Sequence, residues 1–225
     1  VLCILTFLVG AAETISCALL YIKLKSMDSS RRTIMVVGLN GAGKSAIVNF
    51  LCPPHEDVEN VYILPTPGLQ LVQLMMEETY WKIWDMSGHG RYRRMWPYYY
   101  SYAQGIIWVV DSTDTVRIAV VKNELEILLK NPDVRRRKQP ILFFCTKSDI
   151  SDKELKERPK EEGREKMNAE DLEEVLKLDR LLKGRHAYTV LTTSAMPKDG
   201  EGSTANIIKG LQWLKQKTRC FVDEL

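Results

Sequence analysis

Cysteine pairs at metal-binding spacing are missing from this chain. Its five cysteines, Cys3, Cys17, Cys52, Cys145 and Cys220, are scattered and odd in number, with no CxxC among them. That argues against a zinc site and a disulfide framework, and it fits a reducing compartment. Histidine is scarcer still: only His55, His89 and His186 occur, a poor basis for a histidine-built metal centre. A charge excess of one sign is also lacking. The formal net charge is +3, so bulk electrostatics gives no argument for nucleic acid, and none is expected as a partner. No internal repeat is visible. What is present is globular in character: 45% hydrophobic and 27% charged residues over 225 positions, enough for one good-sized domain and an appendage.

The appendage is apolar. VLCILTFLVGAAETISCALLYI carries one charge in 22 residues, Glu13, and is followed by Lys23, Lys25, Arg31 and Arg32. A helix of that length matches a bilayer core of roughly 30 Å, and the basic flank would leave the remainder on the cytoplasmic face. Residues 1–26 are expected to form an N-terminal hydrophobic helix or membrane anchor, and residues 27–225 the folded domain. Two alternatives stand beside the anchor. Gly10, Glu13, Thr14 and Ser16 suit an amphipathic or groove-buried helix, and an opening Val1 suits a wrongly assigned start. A cleaved signal peptide fits least, because nothing after it has secretory character.

From TIMVVGLN onward, short β-branched runs alternate with helical periodicity. GKSAIVNFL reads as a helix, LQLVQLMMEE and TYWKIWD as adjacent strands, and GIIWVVD as a buried strand. TVRIAVVKNELEILLKN reads as a helix stopped by Pro132, PILFFCTKSD as a strand, and AEDLEEVLKLDRLL as one amphipathic helix. AYTVLTTSA and ANIIKGLQWLKQK close the pattern as strand and helix. Alternation of this kind predicts an α/β fold, a mostly parallel sheet with helices on both faces. Residues 151–166, SDKELKERPKEEGREK, break it: twelve of sixteen are charged, so this is a solvated insertion or a charged partner-binding loop.

GLNGAGKS, Gly38 to Ser45, matches G-x-x-x-x-G-K-[ST] between a predicted strand and a predicted helix. In that context the glycines let backbone N–H groups turn toward phosphate oxygens, and the helix N-terminus adds its positive dipole. Lys44 would reach the outer phosphates and the Ser45 hydroxyl would ligate Mg²⁺. TKSD, Thr146 to Asp149, follows a buried strand at the end where α/β sheets bind ligands. Asp149 can accept from both N1–H and the 2-amino group of guanine, a donor pair adenine lacks. The stem of Lys147 can lie across the base, and TSA, Thr193 to Ala195, can offer an N–H to the guanine oxygen. Between these segments, Thr66 in PTPG can reach metal and the last phosphate. Asp85 in DMSG would hold the metal through water, and Gly88 can give its N–H to the γ-phosphate. An ATP-using P-loop kinase is disfavoured by Asp149 and by the lack of a lid-like arginine segment.

In that order these segments resemble the Ras superfamily of small GTPases, and GLNGAGKS and WDMSGHGRYRRMW are similar to its Arf and Arf-like branch. ILPTPG, VVDSTD, ELEILLKNPDVRRRKQPILFF and KDGEG extend the likeness over residues 32–217, apart from the charged insertion. The resemblance implies a P-loop small-GTPase fold with a six-stranded, mostly parallel sheet, and a switch using GTP/GDP and Mg²⁺. It places the nucleotide on Asn40, Gly41, Ala42, Gly43, Lys44, Ser45, Ala46, Thr66, Gly88, Thr146, Lys147, Asp149, Ser194 and Ala195. It places the metal on Ser45, Thr66 and Asp85, and hydrolysis on Lys44, Thr66 and His89. It further implies a monomer that recruits effectors or a BBSome-like coat complex through residues 62–102. An exchange factor and a GTPase-activating protein would set its state, at a ciliary or other membrane. The β-subunit of the signal-recognition-particle receptor also joins an N-terminal span to a GTPase domain, but the second switch segment fits it poorly.

Four residues or segments depart from that pattern. Thr146 stands where the family has asparagine, which Rho-type GTPases also tolerate, and Pro67 stands where it has isoleucine. The Met-Gly myristoylation start is replaced by the apolar run. His89 takes the place of the glutamine that orients the attacking water. It can position water itself, slow hydrolysis or silence it, and because histidine changes charge near neutrality, any hydrolysis is expected to depend on pH. A lone histidine can equally be structural. In MWPYYYSY, Trp96, Tyr99 and Tyr102 can anchor an effector or pack the switch onto the sheet. Arg91, Arg93 and Arg94 are expected to be exposed.

Overall fold

The computed structural model describes residues 31–52, 66–151, 154, 166–195 and 204–218. The apolar run, His55, most of the charged insertion and KDGEG lie outside the described residues. Among the described residues no helix is long and apolar enough to cross a membrane.

Six strands form one sheet: β1 (Arg31–Val37), β2 (Leu69–Met76), β3 (Thr79–Met86), β4 (Gly105–Asp111), β5 (Ile141–Thr146) and β6 (Tyr188–Thr192). Their spatial order is β2-β3-β1-β4-β5-β6. Only the hairpin β2–β3 is antiparallel; every other pairing is parallel. The central strands are apolar on both faces because alternate side chains enter different cores. Met35, Val37, Trp108, Phe143 and Cys145 enter one; Ile34, Val36, Ile107, Val109, Leu142 and Phe144 enter the other.

The first core is covered by α3 (Pro97–Tyr100), α4 (Ile118–Lys130), α5 (Pro132–Arg137), α6 (Ala169–Leu176) and α7 (Leu178–Leu182), while the short α2 (Gly90–Arg93) before them buries no residue. The second is covered by α1 (Lys44–Leu51) and α8 (Ala205–Lys217). The fit under α8 is close: a Cβ on Gly210 would lie 2.7 Å from both Leu142 Cδ2 and Phe144 Cζ.

One helix expectation gains a sequel and another needs correction. α4 ends at Lys130, before Pro132 as expected, and Pro132 then opens α5 as its first residue. Asn131 caps it, accepting from Asp133 N at 2.9 Å, because proline suits the first helical position, where no N–H is needed. AEDLEEVLKLDRLL is two helices rather than one. Lys177 adopts φ 55° and turns the chain between α6 and α7, so that Leu172, Leu176, Leu178 and Leu182 all reach the core.

The register fixes the working end of the sheet. Val36 lies opposite Asp85, and Asp111 opposite Thr146. The carboxyl ends of β1, β3, β4 and β5 therefore open onto one edge.

Candidate nucleotide-binding site

At that edge the glycine loop leaves β1 through backbone states that side chains rarely adopt. Gly38, Gly41 and Gly43 have φ of 147°, 78° and 91°. A Cβ on Gly38 would come 2.2 Å from Val109 O, so β4 presses directly on the loop. Gly88 makes an equally close approach from β3, where a Cβ would lie 2.4 Å from Asn40 N and Gly38 O. The turn after β3 is thus packed backbone to backbone against the glycine loop.

Lys44 begins α1, is 6% exposed and donates from Nζ to Leu39 O at 2.8 Å. Burial pushes its pKa down from 10.5 to about 8, against the pull of Asp85 and with Arg117 and Arg93 adding to the drop. Next to it, Ser45 Oγ donates to Asp85 Oδ2 at 2.5 Å and lies 2.9 Å from Thr66 Oγ1. Thr66 Oγ1 also donates to Asp85 Oδ2 at 3.4 Å. Three segments far apart in sequence therefore converge on one point. Asp85 is fully buried and its Oδ1 has no hydrogen-bond partner. Burial raises its pKa, opposed by the Ser45 hydrogen bond, Lys44 and the Thr66 hydrogen bond. An orphaned carboxylate oxygen beside two hydroxyls is a hard oxygen donor set that fits Mg²⁺.

The second half of the pocket lies beyond β5. Thr146 is buried; its hydroxyl donates to Ala42 O at 2.6 Å and is 3.0 Å from Val110 O. It ties the glycine loop to two strand ends, and a Cβ on Gly43 would meet it at 3.5 Å. Lys147 has φ 61° and pairs with Asp111, whose Oδ1 accepts from Thr113 N and Oγ1 at 2.9 and 2.7 Å. A left-handed lysine costs about 1 kcal/mol or more, and such strain concentrates at binding sites. Asp149 is half-buried. Ser148 N donates to Thr193 O at 3.3 Å, and Thr193 N to Cys145 O at 2.9 Å. Those bonds bring Ser194, which is buried, and Ala195 alongside the Asp149 loop.

Two residues of this site carry no local sequence signal. Arg117 donates from Nη1 to Asn40 Oδ1 at 2.9 Å and from Nη2 to Asn40 O at 3.1 Å, while Nε bonds Asp114 Oδ2 at 2.5 Å. Lys166, the last residue of the charged insertion, donates to Ser148 O and, at 2.9 Å, to Ile150 O, closing the Asp149 loop.

His89 is exposed and its Nδ1 accepts from Arg91 N at 3.3 Å, capping α2. Its second nitrogen, Nε2, is left for solvent. No cluster of three or more His, Cys, Asp and Glu suited to a metal exists among the described residues. Trp96 belongs to the core, with Nε1 bonding Ser87 O at 3.0 Å and its ring edge-on to Trp108. Tyr99 and Tyr102 stand edge-on to Trp84, Tyr102 largely exposed. Arg91 and Arg94 are exposed as expected. Arg93 is not: it is half-buried, bonded to Glu124 at 2.5 Å, and fastens α2 to α4.

Residues 19–218 match the ADP-ribosylation factor family. The chain belongs to that family. Among its Arf-family relatives, ADP-ribosylation factor-like protein 6 of Danio rerio is 31% identical over 188 residues, covering 84% of this chain and 89% of that protein. The protein of the same name from Caenorhabditis elegans is 30% identical over 182 residues, covering 80% and 88%. A solved structure, the Arl6 BBS3 small GTPase of Trypanosoma brucei with bound nucleotide analogue GppNp, superposes with a TM-score of 0.67 at 27% identity. It covers 83% of this chain and 96% of that one. The sheet order and helix placement are those of an Arf-like small GTPase.

Proposed function

We propose that this Arf-family chain is a Mg²⁺-dependent GTP/GDP switch that recruits an effector or coat complex to a membrane while GTP is bound, and that it hydrolyses GTP slowly. The observation that carries it is the convergence of Ser45, Thr66 and Asp85 on one point beside Lys44. A γ-phosphate and its cation would draw on all three segments at once, so their arrangement reports which nucleotide is present.

Ser45, Thr66 and Asp85 would hold the cation, which when bound offsets phosphate charge. The Lys44 ammonium would leave Leu39 O for the outer phosphates, and the Gly88 N–H would meet the γ-phosphate. Asp149 would accept from guanine, with Lys147 beside the base and the Ser194–Ala195 turn at its oxygen. His89 orients water through Nε2, since Nδ1 is held by the helix cap. One ring nitrogen replaces the two-ended amide of glutamine, which can bond water and phosphate together, and this supports slow turnover.

The effector surface is apolar and open. Leu71 and Met75 on β2 are 49% and 53% exposed, and Tyr98 and Tyr102 are 75% and 64% exposed. Lys82 lies over the Trp84 ring at 5.5 Å. Such a patch of aromatics and Met suits a protein partner. The relatives named for Arl6 motivate a BBSome-like coat and ciliary traffic as that partner's setting.

Single-turnover GTP hydrolysis by the parent and His89→Gln, with nucleotide binding checked against ATP, tests the reading. Faster hydrolysis in the glutamine variant is expected. Slower hydrolysis would make His89 the better water-positioning group, and failure to bind GTP would sink the switch altogether. Vesicle flotation of residues 1–225 against 27–225 tests the membrane anchor; equal flotation would remove it.

A further inference from the structure

At the other pole of the sheet, α4, α5 and the α6–α7 turn line an open cavity of about 790 Å³. Two of its lining residues, Lys138 and His186, lie just before Ile141 and Tyr188, where β5 and β6 begin. In a parallel sheet this is the end remote from Lys44, Asp85 and Thr146.

The lining is cationic out of proportion to the chain. Lys122 and Lys130 come from α4, Arg135 and Lys138 from α5 and its end, and Lys177, Arg180 and Arg185 from the opposing wall. Glu126 is the one carboxylate among the lining residues. The cavity therefore gathers a larger positive excess than the +3 of the whole chain. Lys130 pairs with Glu126 at 3.9 Å; the other six cations form no ion pair among the described residues. Helix C-termini favour nearby cations, which accounts for Lys130, Lys138 and Lys177. It does not account for Lys122 in the first half of α4, nor for Arg185 outside any helix. Like charges held around one hollow repel, and an anionic ligand relieves that repulsion.

Size and lining narrow the ligand. A volume of this order suits a small molecule, within the roughly 300–1,000 Å³ of ligand sites. Leu129 and Leu181 give the hollow a limited apolar floor, and no aromatic lines it. Nucleic-acid bases would find nothing to stack on, whereas several phosphates on a compact ring would meet cations on two walls. His186, 8% exposed, donates from Nδ1 to Gln139 O at 2.9 Å, which leaves Nε2 as the ring's second polar atom.

We propose that this cavity binds a compact polyphosphorylated anion of the inositol phosphate class, either free or as a lipid headgroup. The site is separate from the glycine loop and does not rest on the nucleotide reading.

The test uses the full chain with excess GDP and Mg²⁺, so that phosphates of the probe do not compete at the glycine loop. Inositol hexakisphosphate is titrated calorimetrically. Phosphatidylcholine vesicles with and without phosphatidylinositol 4,5-bisphosphate are floated in parallel. Two double variants carry the same charge change: Arg135→Glu with Arg180→Glu at the cavity, and Lys209→Glu with Lys217→Glu on exposed positions of α8. Loss of affinity by about tenfold or more is expected for the cavity pair, and less than about twofold for the α8 pair. The His186 ring signals should shift on adding the soluble probe, because an anion opposes the burial and the Arg185 and Lys138 charges that hold its pKa low. Binding of the soluble probe assigns a free ligand, and binding only of the phosphoinositide vesicles assigns a headgroup; either supports the site. Equal loss in both variants, binding of neither probe, or tighter binding of a single-stranded oligonucleotide at the same residues would overturn it.

Discussion

Replacing Lys44 by methionine is expected to stabilise the nucleotide-free protein while removing its affinity for nucleotide. Burial lowers the Lys44 pKa from 10.5 to about 8, which corresponds to a cost of about 3 kcal/mol in folding free energy at neutral pH. The sign follows from proton counts. Below pH 8 both folded and unfolded chains carry the charge, and the folded chain bears the whole cost. Between pH 8 and 10.5 only the unfolded chain holds the proton, so stability rises with pH until the cost disappears. Methionine keeps the buried stem and has no charge to desolvate. It leaves Leu39 O without its donor and Asp85 without a neighbouring cation, which returns about 1–2 kcal/mol. The net expectation is a gain of about 1–2 kcal/mol at pH 7, shrinking or reversing by pH 10. Urea unfolding of parent and variant at both pH values, with nucleotide and metal removed by chelation, measures it. A variant less stable than the parent at pH 7, or a difference that does not change with pH, would refute the reasoning.

Lys166→Met should loosen the Asp149 loop, because Ser148 O and Ile150 O lose their shared donor. Guanine nucleotide affinity is expected to fall by about tenfold through faster dissociation; stopped-flow release of a fluorescent GDP reads this, with the melting temperature changing little. Gly210→Ala should destabilise the protein by about 1–2 kcal/mol even though alanine favours helix by about 1 kcal/mol. The added methyl meets Leu142 and Phe144 at 2.7 Å, and denaturant titration gives the value.

The sequence made all six strands legible, the central ones because a strand buried on both faces is a continuous β-branched and aromatic run, as in GIIWVVD and ILFFC. The glycine loop was legible for a similar reason: its chemistry is confined to eight consecutive residues. The break at Lys177 was not, since AEDLEEVLKLDRLL keeps helical periodicity through a residue whose left-handed turn is set by the core beneath it. The start of α5 could have been read, because Asn131–Pro132 is a cap followed by a first-turn proline. Arg93, Arg117 and Lys166 were beyond reach. Their partners Glu124, Asn40 and Ser148 lie from 18 to 77 positions away, and an isolated basic residue looks the same whether it faces water or closes a loop.

The Thr146 hydroxyl has one proton and two carbonyls within reach, Ala42 O and Val110 O. Whatever pulls at the glycine loop is therefore felt at the start of the Asp149 loop through a single rotor. Recognition at the two ends of a bound molecule is not independent: a ligand that grips only one end distorts the seat of the other.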